Sequence, residues 1–446
     1  MTGFLSEPYI LCCFACFMKK GRSMRKMLVY SGFLTLLLTS FCFSEEGRIA
    51  LKGGRILSVS GGEISKGTVL ILDGKIAAIG ALVEIPPGAQ VIDVSGCIIT
   101  PGLIDSHSHL GLGPSYGVTE DNEMSDPVTP QLRVIDSIHP EGVGAEKGSF
   151  RAALAEGVTA VIARPGSGNV IGGQSAILKL AGRTVDEMVL AFPCDMKMAL
   201  GHKYYYASKG LMPMTKMGAA YLVRQAMLEA QEYRDAWLRY QKDKAKKPVT
   251  PPPQRDLKKE AMLKVLNKEL PVHIHVVGAD DIMTAVRLAG EFGFSKLSLG
   301  HADEAYKVAD ELAKRGVVVV VGPDMIVHDD EGRWINLADV LVRHGVEVNI
   351  MTDADVVQQP FLRYQAAVAV KYGMDPVEAL KAITINPARL AGADKRIGSL
   401  EAGKDADLVV FNGDPFDLQS RVLRAYINGQ LVYEAPTGDV RPGANR

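Results

Sequence analysis

The chain has 446 residues, of which 47% are hydrophobic and 23% are charged, and its formal net charge at pH 7 is -1. This length exceeds one typical domain and suits a barrel of eight strand–helix repeats that carries an added module. A net charge this close to zero gives no electrostatic case for a nucleic-acid-binding protein.

The first segment has the pattern of a secretory signal peptide. Five basic residues between positions 19 and 26 precede an apolar run over 27–43, and Glu45 and Glu46 follow. This order of basic and apolar residues predicts that 1–44 is removed and that the protein is exported, to the periplasm or out of the cell. A single membrane anchor is the alternative, although the run is short for a bilayer span.

Both ends of the remaining chain are rich in short strands. Asp73-Gly74 and Asn428-Gly429 each lie between apolar runs, which predicts two tight hairpin turns. Because the two ends share this pattern, we expect one small composite β domain, a β-sandwich, built from 45–100 together with 395–446.

The middle segment, 101–394, alternates strand-like and helix-like stretches. For example, "SFRAALAEGVTAVIARPG" (149–166) is typical of a helix, a strand and a turn in succession, and "ADDIMTAVRLAGEFG" (279–293) of a helix. This alternation predicts an α/β fold, a (β/α)8 TIM barrel with a parallel sheet.

Two histidines at the end of an apolar strand are the first candidates for a metal site. His107 and His109 follow "CIITPGLID" (97–105), and strand residues two apart share a face. Both imidazoles therefore point towards one spot, and neutral imidazole binds zinc and related metals.

Three further strand ends carry metal-binding side chains. His273 and His275 alternate on "PVHIHVV" (271–277), His301 ends "LSLGH" and Asp353 ends "VNIMTD". The carboxyl ends of the strands of a (β/α)8 barrel converge on one face. The chain order of these residues therefore predicts one shared metal site.

The segment "PGLIDSHSHL" (101–110) closely resembles the strand-1 signature of the amidohydrolase superfamily, and "GSLEAGKDADLVVF" (398–411) resembles its C-terminal motif. Among its members, the chain is most similar to imidazolonepropionase-like and metallo-dipeptidase-like proteins. The resemblance implies that one or two divalent metal ions bind, with zinc as the first choice. It also implies that a metal-activated water hydrolyses an amide or cyclic amide bond.

The resemblance also assigns roles. It implies that His107, His109, His275 and His301 bind metal, and that Asp353 both binds metal and transfers the proton of the water to the leaving nitrogen. Lys197 lies on a predicted strand where dinuclear members carry a carbamylated lysine that bridges two ions. An ordinary ion-paired lysine is the alternative for this position.

Several other residues are candidates for substrate binding. After "ALG" (199–201), His202-Lys203 stands where the imidazolonepropionase-like subfamily usually has Glu-Asn, so His202 is either a substitute ligand or solvent-exposed. The loop 164–180 resembles the same subfamily, and its Asn169 and Gln174 are candidates for substrate contact. His273 is a further candidate, either for substrate contact or for support of a metal ligand, with a packed or hydrogen-bonded barrel residue as the alternative.

Together these patterns predict an exported, metal-dependent amidohydrolase with a small-molecule substrate, either a cyclic amide or a small peptide. A barrel that binds a small ligand without turnover is the alternative class. We expect no nucleic-acid partner and no membrane association after processing, and a homo-oligomer stays open.

Overall fold

The structure is a computed structural model that describes residues 47–113, 120–142, 147–244 and 251–436. The predicted signal peptide, 1–44, lies outside the described residues. Within them, no helix combines the length and the apolar character that a bilayer span requires.

The described residues contain twenty strands, many of them short and fully buried. Their bounds are β1 Arg48–Leu57, β2 Glu63–Leu72, β3 Lys75–Gly80, β4 Gln90–Asp93, β5 Ile98–Pro101, β6 Leu103–Ser108, β7 Val158–Ala163, β8 Ile171–Gln174, β9 Ala176–Lys179, β10 Val189–Ala191, β11 Met196–Ala199, β12 Val272–Val276, β13 Leu297–His301, β14 Val318–Val321, β15 Ile326–His328, β16 Trp334–Asn336, β17 Val348–Ile350, β18 Leu408–Phe411, β19 Val422–Ile427 and β20 Gln430–Glu434.

The helices lie mostly between the strands of the middle segment. Their bounds are α1 Ser149–Ala155, α2 Val185–Met188, α3 Tyr204–Ser208, α4 Lys216–Lys244, α5 Leu257–Leu266, α6 Ala279–Phe292, α7 Ala309–Lys314, α8 Leu337–Arg343, α9 Leu362–Lys371, α10 Pro376–Ala382 and α11 Ile385–Leu390.

Strands from the two ends of the chain pair in one eight-stranded sheet. Its order is β20-β19-β18-β5-β1-β2-β3, with β4 also paired to β1, and β18 runs antiparallel to β5. The sequence predicted a β-sandwich from both ends, whereas the pairing found here is one continuous sheet. The boundaries 45–100, 101–394 and 395–446 stay predictions.

Both predicted hairpin turns are confirmed. Asp73-Gly74 joins β2 to β3 and Asn428-Gly429 joins β19 to β20. All four residues have φ between +49° and +78°. A tight two-residue turn of the I′ type needs a positive φ at both positions, which asparagine, aspartate and glycine tolerate best.

The middle segment forms a two-stranded antiparallel sheet, β15-β16, and two larger sheets. One has the order β17-β14-β13-β12-β11-β8, in which the five strands from β11 to β17 are parallel neighbours, and the other has the order β10-β9-β7-β6, with β6 parallel to β7. The short strands β8, β9 and β10 pair antiparallel. The sequence predicted eight parallel strands, whereas each of these two larger sheets contains both parallel and antiparallel pairs.

The first and last parallel strands approach each other at their carboxyl ends. Ser106 donates a hydrogen bond from Oγ to the carbonyl of Ile350 at 2.7 Å, and the amide of Asp353 donates to the carbonyl of His107 at 3.2 Å. These bonds bring the end of β6 next to the end of β17. Histidines and an aspartate that are far apart in sequence therefore meet.

Candidate metal centre

His107, His109 and Asp353 form the centre of the site. One ligand atom from each lies within 4.8 Å of the other two. His107 is fully buried, whereas the side chains of His109 and Asp353 are 12% and 11% exposed. The structure therefore brings His107 and His109 together with Asp353, as their positions at strand ends predicted.

His107 and His109 each use Nδ1 for a supporting hydrogen bond, and each directs Nε2 towards Asp353. Nδ1 of His109 lies 2.8 Å from the carbonyl of Arg164, so it carries the proton and donates. The Nε2 atoms of His107 and His109 lie 3.5 and 3.3 Å from Oδ1 of Asp353. This leaves both Nε2 lone pairs free to bind a metal.

His107 is held by a second histidine. Its Nδ1 lies 3.0 Å from Nε2 of His273, and Nδ1 of His273 lies 2.9 Å from Oγ of Ser298. Burial holds the pKa of both imidazoles well below the ordinary value, and the positive charges of Lys197 and Arg164 add to this effect. Both rings are therefore neutral, the form that binds metal.

His275 and His301 complete the group of histidines. Their ring centroids are 4.3 Å apart, and Nε2 of His301 lies 3.7 Å from Oδ2 of Asp353. Nδ1 of His275 is buried and, among the described residues, has no hydrogen-bond partner. A buried ring nitrogen without a partner costs free energy, and a metal ion would use its lone pair.

Asp353 is ionised at neutral pH. Burial by itself would raise its pKa, but the neighbouring His109, His301 and Lys197 outweigh burial and lower the pKa to about 2. Its φ of +52° and that of His301, +64°, lie in the left-handed region that side chains rarely adopt. Such strain persists at functional sites because the surrounding packing holds it.

Lys197 lies on β11 beside these ligands. It is fully buried, and its Nζ lies 3.5 Å from Nε2 of His107, 3.0 Å from the carbonyl of Pro165 and 3.2 Å from Oγ of Ser167. Burial lowers the pKa of Lys197 to about 7, although the charge of Asp353 opposes the effect. A large fraction of this amine is therefore uncharged near neutral pH.

The donor set fits a divalent metal ion. It combines neutral imidazoles, an ionised carboxylate and one buried ring nitrogen without a partner, which are the ligand types that zinc and related metals take in proteins. His107, His109, His275, His301 and Asp353 would hold the ion. Nζ of Lys197 lies beside them, 3.5 Å from Nε2 of His107.

The structure gives no support for substrate contact by the four residues that the sequence offered for it. His273 is fully buried, with both ring nitrogens bonded to His107 and Ser298, so it supports a ligand instead of meeting a substrate. His202 is exposed and stands beside Tyr204, with ring centroids 6.1 Å apart.

Asn169 and Gln174 make structural hydrogen bonds. Asn169 accepts from Tyr206 at 2.6 Å and donates to the carbonyl of Glu123 and to Thr129. Gln174 donates to the carbonyl of Pro130 and pairs opposite the first residue of β11, away from the carboxyl end where the ligands lie. Neither side chain is assigned to the candidate site.

Sequence reasoning missed Asp105, which joins the two ligand segments. Its carboxylate accepts from the amide of His107 at 3.0 Å and from Oγ1 of Thr352 and Nε2 of Gln359, both at 2.6 Å. A usable signal was present, because Asp105 is two residues before His107 and so shares its face of the strand.

Gly300 was also missed, and no local signal identifies it. A Cβ atom at this position would lie 2.8 Å from Nε2 of His273 and 3.7 Å from Nδ1 of His107. Glycine on β13 therefore makes the room in which the two histidines meet. The neighbour of Gly300 is His273 on another strand, β12, so the need for glycine cannot be predicted from the residues around position 300.

Comparison with known proteins gives the family. The sequence model described as "Amidohydrolase family" matches residues 98–441, which is more than half of the chain. The chain therefore belongs to the amidohydrolase family, and it is a metal-dependent hydrolase that acts on carbon–nitrogen bonds.

Relatives of known structure or name agree with this assignment. The crystal structure of an amidohydrolase from Thermotoga maritima MSB8 has 36% sequence identity and a TM-score of 0.78, and the match covers 87% of this chain and 100% of that chain. Family membership and this likeness imply a TIM-barrel fold with an extra domain.

Two named relatives are more distant. Amidohydrolase tasK of Hapsidospora irregularis is 28% identical over 85% of this chain, which spans only 40% of that protein. An imidazolonepropionase of Mesorhizobium japonicum is 27% identical over 79% of this chain and 87% of that protein. These matches confirm the predicted resemblance to imidazolonepropionase-like proteins.

Proposed function

We propose that the protein is an exported enzyme that hydrolyses a cyclic amide or small-peptide C–N bond at a zinc centre on a closed (β/α)8 barrel. The observation that carries the proposal is the ionised Asp353 carboxylate, which lies within 4 Å of the Nε2 atoms of His107, His109 and His301. The relation to imidazolonepropionases supports a cyclic amide as the first choice of substrate.

The chemistry that a divalent metal supplies at such a site when bound is the activation of water and the polarisation of a carbonyl group. The side chains do the rest. Asp353, ionised at neutral pH, accepts a proton at its carboxylate and returns it to the leaving nitrogen as the C–N bond breaks. His107 and His109 keep Nε2 directed inwards because their Nδ1 atoms are engaged elsewhere.

Substitution of Asp353 tests this role. In Asp353→Asn we expect turnover of the substrate to fall by about 100-fold or more, since general acid–base transfer contributes about 100- to 10,000-fold, while much of the bound metal stays. Metal per chain and kcat are the measurements. Near-normal turnover in the variant removes Asp353 as the proton carrier.

Lys197 is proposed to form a carbamate that bridges two metal ions. The lone pair of the uncharged Nζ attacks the carbon of carbon dioxide, so that an N–C bond forms and one C=O π bond opens to a negatively charged oxygen. One N–H proton leaves to solvent, and the lysine gains a carboxylate. Complete burial, the pKa near 7 and the 3.5 Å approach to His107 support this step. This step also favours the second candidate, a dipeptidase with a dinuclear centre.

Elemental analysis of the wild-type protein and of Lys197→Ala tests the bridge. We expect about two metal ions per wild-type chain and about one or none in the variant, with the second ion restored when acetate supplies the missing carboxylate. One ion per chain in both proteins would show that Lys197 is not a bridge and would favour the cyclic amide.

Export is proposed from the basic and apolar pattern of 1–44. Expression of the full chain should yield a processed protein outside the cytoplasm, as N-terminal sequencing of the fractionated product would show. An uncut cytoplasmic product contradicts the signal peptide.

A further inference from the structure

A second buried lysine, Lys203, lies close to the metal centre. It follows the strand β11 and directly precedes α3, and only 6% of the residue is exposed. Its Nζ donates to the carbonyl of Ser167 at 2.9 Å and to the carbonyl of Leu200 at 3.3 Å.

Ser167 connects this lysine to the site. Lys203 binds the carbonyl oxygen of Ser167, and Lys197 binds its hydroxyl oxygen at 3.2 Å. Lys203 also adds to the lowering of the pKa of His275, for which burial is the main cause. Its ammonium group binds the carbonyl of Leu200, which directly follows the carboxyl end of β11, so it lies at the same end of the strands as the candidate ligands.

Lys203 has no counter-ion among the described residues. Asp281 is the carboxylate whose charge acts on the pKa of Lys203, but Asp281 forms its ion pair with Lys216, at 2.9 Å. An ammonium group has three hydrogens, and two carbonyl oxygens account for two of them. A buried cation without an anion is costly, and burial lowers the pKa of Lys203 to about 8.

We propose that Lys203 binds a carboxylate of the substrate, so that this enzyme acts on amides or cyclic amides that carry a carboxylate near the scissile C–N bond. The proposal rests on the proposed hydrolase function. A carboxylate matches the missing partner in charge, and as an acceptor it forms a short, strong hydrogen bond with ammonium. Substrates without a negative charge leave the lysine unpaired.

Paired substrates test the proposal on the metal-loaded full chain. Each dipeptide with a free carboxylate is compared with its C-terminal amide, and each cyclic amide with a propionate side chain is compared with its propionamide. We expect kcat/KM to be about 10- to 100-fold higher for the acid of a pair, the worth of one hydrogen bond to a charged group. Equal values for acid and amide overturn the proposal.

Variants separate substrate binding from a merely structural role. In Lys203→Gln we expect the ratio of kcat/KM for the acid to kcat/KM for the amide to fall towards one, through a higher KM for the acid. Lys209→Gln is the matched control, because Lys209 is exposed and binds the hydroxyl of Tyr205 in the same segment. An equal loss for acid and amide in Lys203→Gln indicates a structural lysine and contradicts the proposal.

A binding measurement covers the case in which no pair is turned over. Propionate is titrated into the metal-loaded wild-type protein and into Lys203→Gln and Lys209→Gln, and we expect only Lys203→Gln to bind it at least fivefold more weakly. Equal affinity in all three proteins overturns the proposal. Metal content is measured on the same samples, so a protein that binds no metal reports failure of the proposed hydrolase and not of Lys203.

Discussion

At the scale of single residues, the protein sets the proton positions of its metal ligands through one chain of hydrogen bonds. Nδ1 of His107 lies 3.0 Å from Nε2 of His273, and Nδ1 of His273 lies 2.9 Å from Oγ of Ser298, so a proton on Nδ1 of His107 is donated to His273 and the proton of His273 is donated to Ser298. Only this direction leaves Nε2 of His107 unprotonated and free to bind metal. Partners of this kind fix both the tautomer and the ring orientation of a ligand.

Removal of the supporting histidine should therefore weaken metal binding. In His273→Ala we expect the metal affinity to fall by about 10- to 100-fold, since His107 loses the acceptor that holds its proton on Nδ1. Titration of the metal-free protein with zinc measures the affinity.

The matched control is His202→Ala, because His202 is exposed and its ring lies beside that of Tyr204. This variant should bind zinc as the wild type does. Unchanged affinity in His273→Ala would show that His107 needs no support from His273.

At the scale of elements, one cluster of charges ties β9 to the C-terminal segment. Nζ of Lys179 donates to Asp405 at 2.7 Å, to Asp407 at 3.0 Å and to Asn428 at 2.6 Å. Asp405 also binds Arg396 at 2.7 Å, and Lys75. The segment 398–411, which resembles the C-terminal motif of the amidohydrolase superfamily, thus supplies Asp405 and Asp407, whose carboxylates link the eight-stranded sheet to β9.

Within this cluster, Asp405 makes a pH-dependent contribution to stability. Burial would raise the pKa of Asp405, but its hydrogen bonds with Lys179 and Lys75 outweigh burial and lower the pKa from 3.8 to about 2. Between these values the unfolded chain binds more protons than the folded one, so stability falls as pH falls. The contribution is complete above about pH 4 and is lost towards pH 2.

We expect Asp405→Asn to lower the free energy of unfolding at pH 7 by about 1–3 kcal/mol, the worth of hydrogen bonds to charged groups. The difference from the wild type should shrink as pH falls from 4 to 2. Urea denaturation at several pH values measures it. The exposed Asp186→Asn is the control, and a difference that stays constant down to pH 2 would contradict the assigned cause.

At the scale of the whole molecule, the candidate metal ligands come from strands that are distant in sequence. His107 and His109 come from β6 and the segment after it, His275 from β12, His301 from β13, and Asp353 follows β17. The unfolded chain does not hold these groups together. A metal ion therefore binds the folded state preferentially and stabilises it.

Thermal unfolding should show this coupling. Free zinc at about 1,000 times its dissociation constant should add about 4 kcal/mol to the free energy of unfolding, and Tm should rise with zinc concentration. His107→Ala should fold but lose most of this rise. If neither zinc nor a chelator changes the Tm of the wild-type protein, the protein has no metal centre of this kind.

Local patterns in the sequence determined much of this architecture. The hairpins at Asp73-Gly74 and Asn428-Gly429 followed from residues that accept a positive φ. The shared face of His107 and His109 followed from the two-residue period of a strand. Both features depend on a few neighbouring residues, so the chain itself specifies them.

The tertiary structure alone decided which side chains work together. In the folded chain, His273 contacts His107, and Asn169 and Gln174 make structural hydrogen bonds. Lys203 is buried, whereas the adjacent His202 is exposed. The physical reason is that each of these outcomes depends on a partner from another strand or loop. Sequence spacing gives the direction of a side chain along its own strand and leaves open what lies opposite.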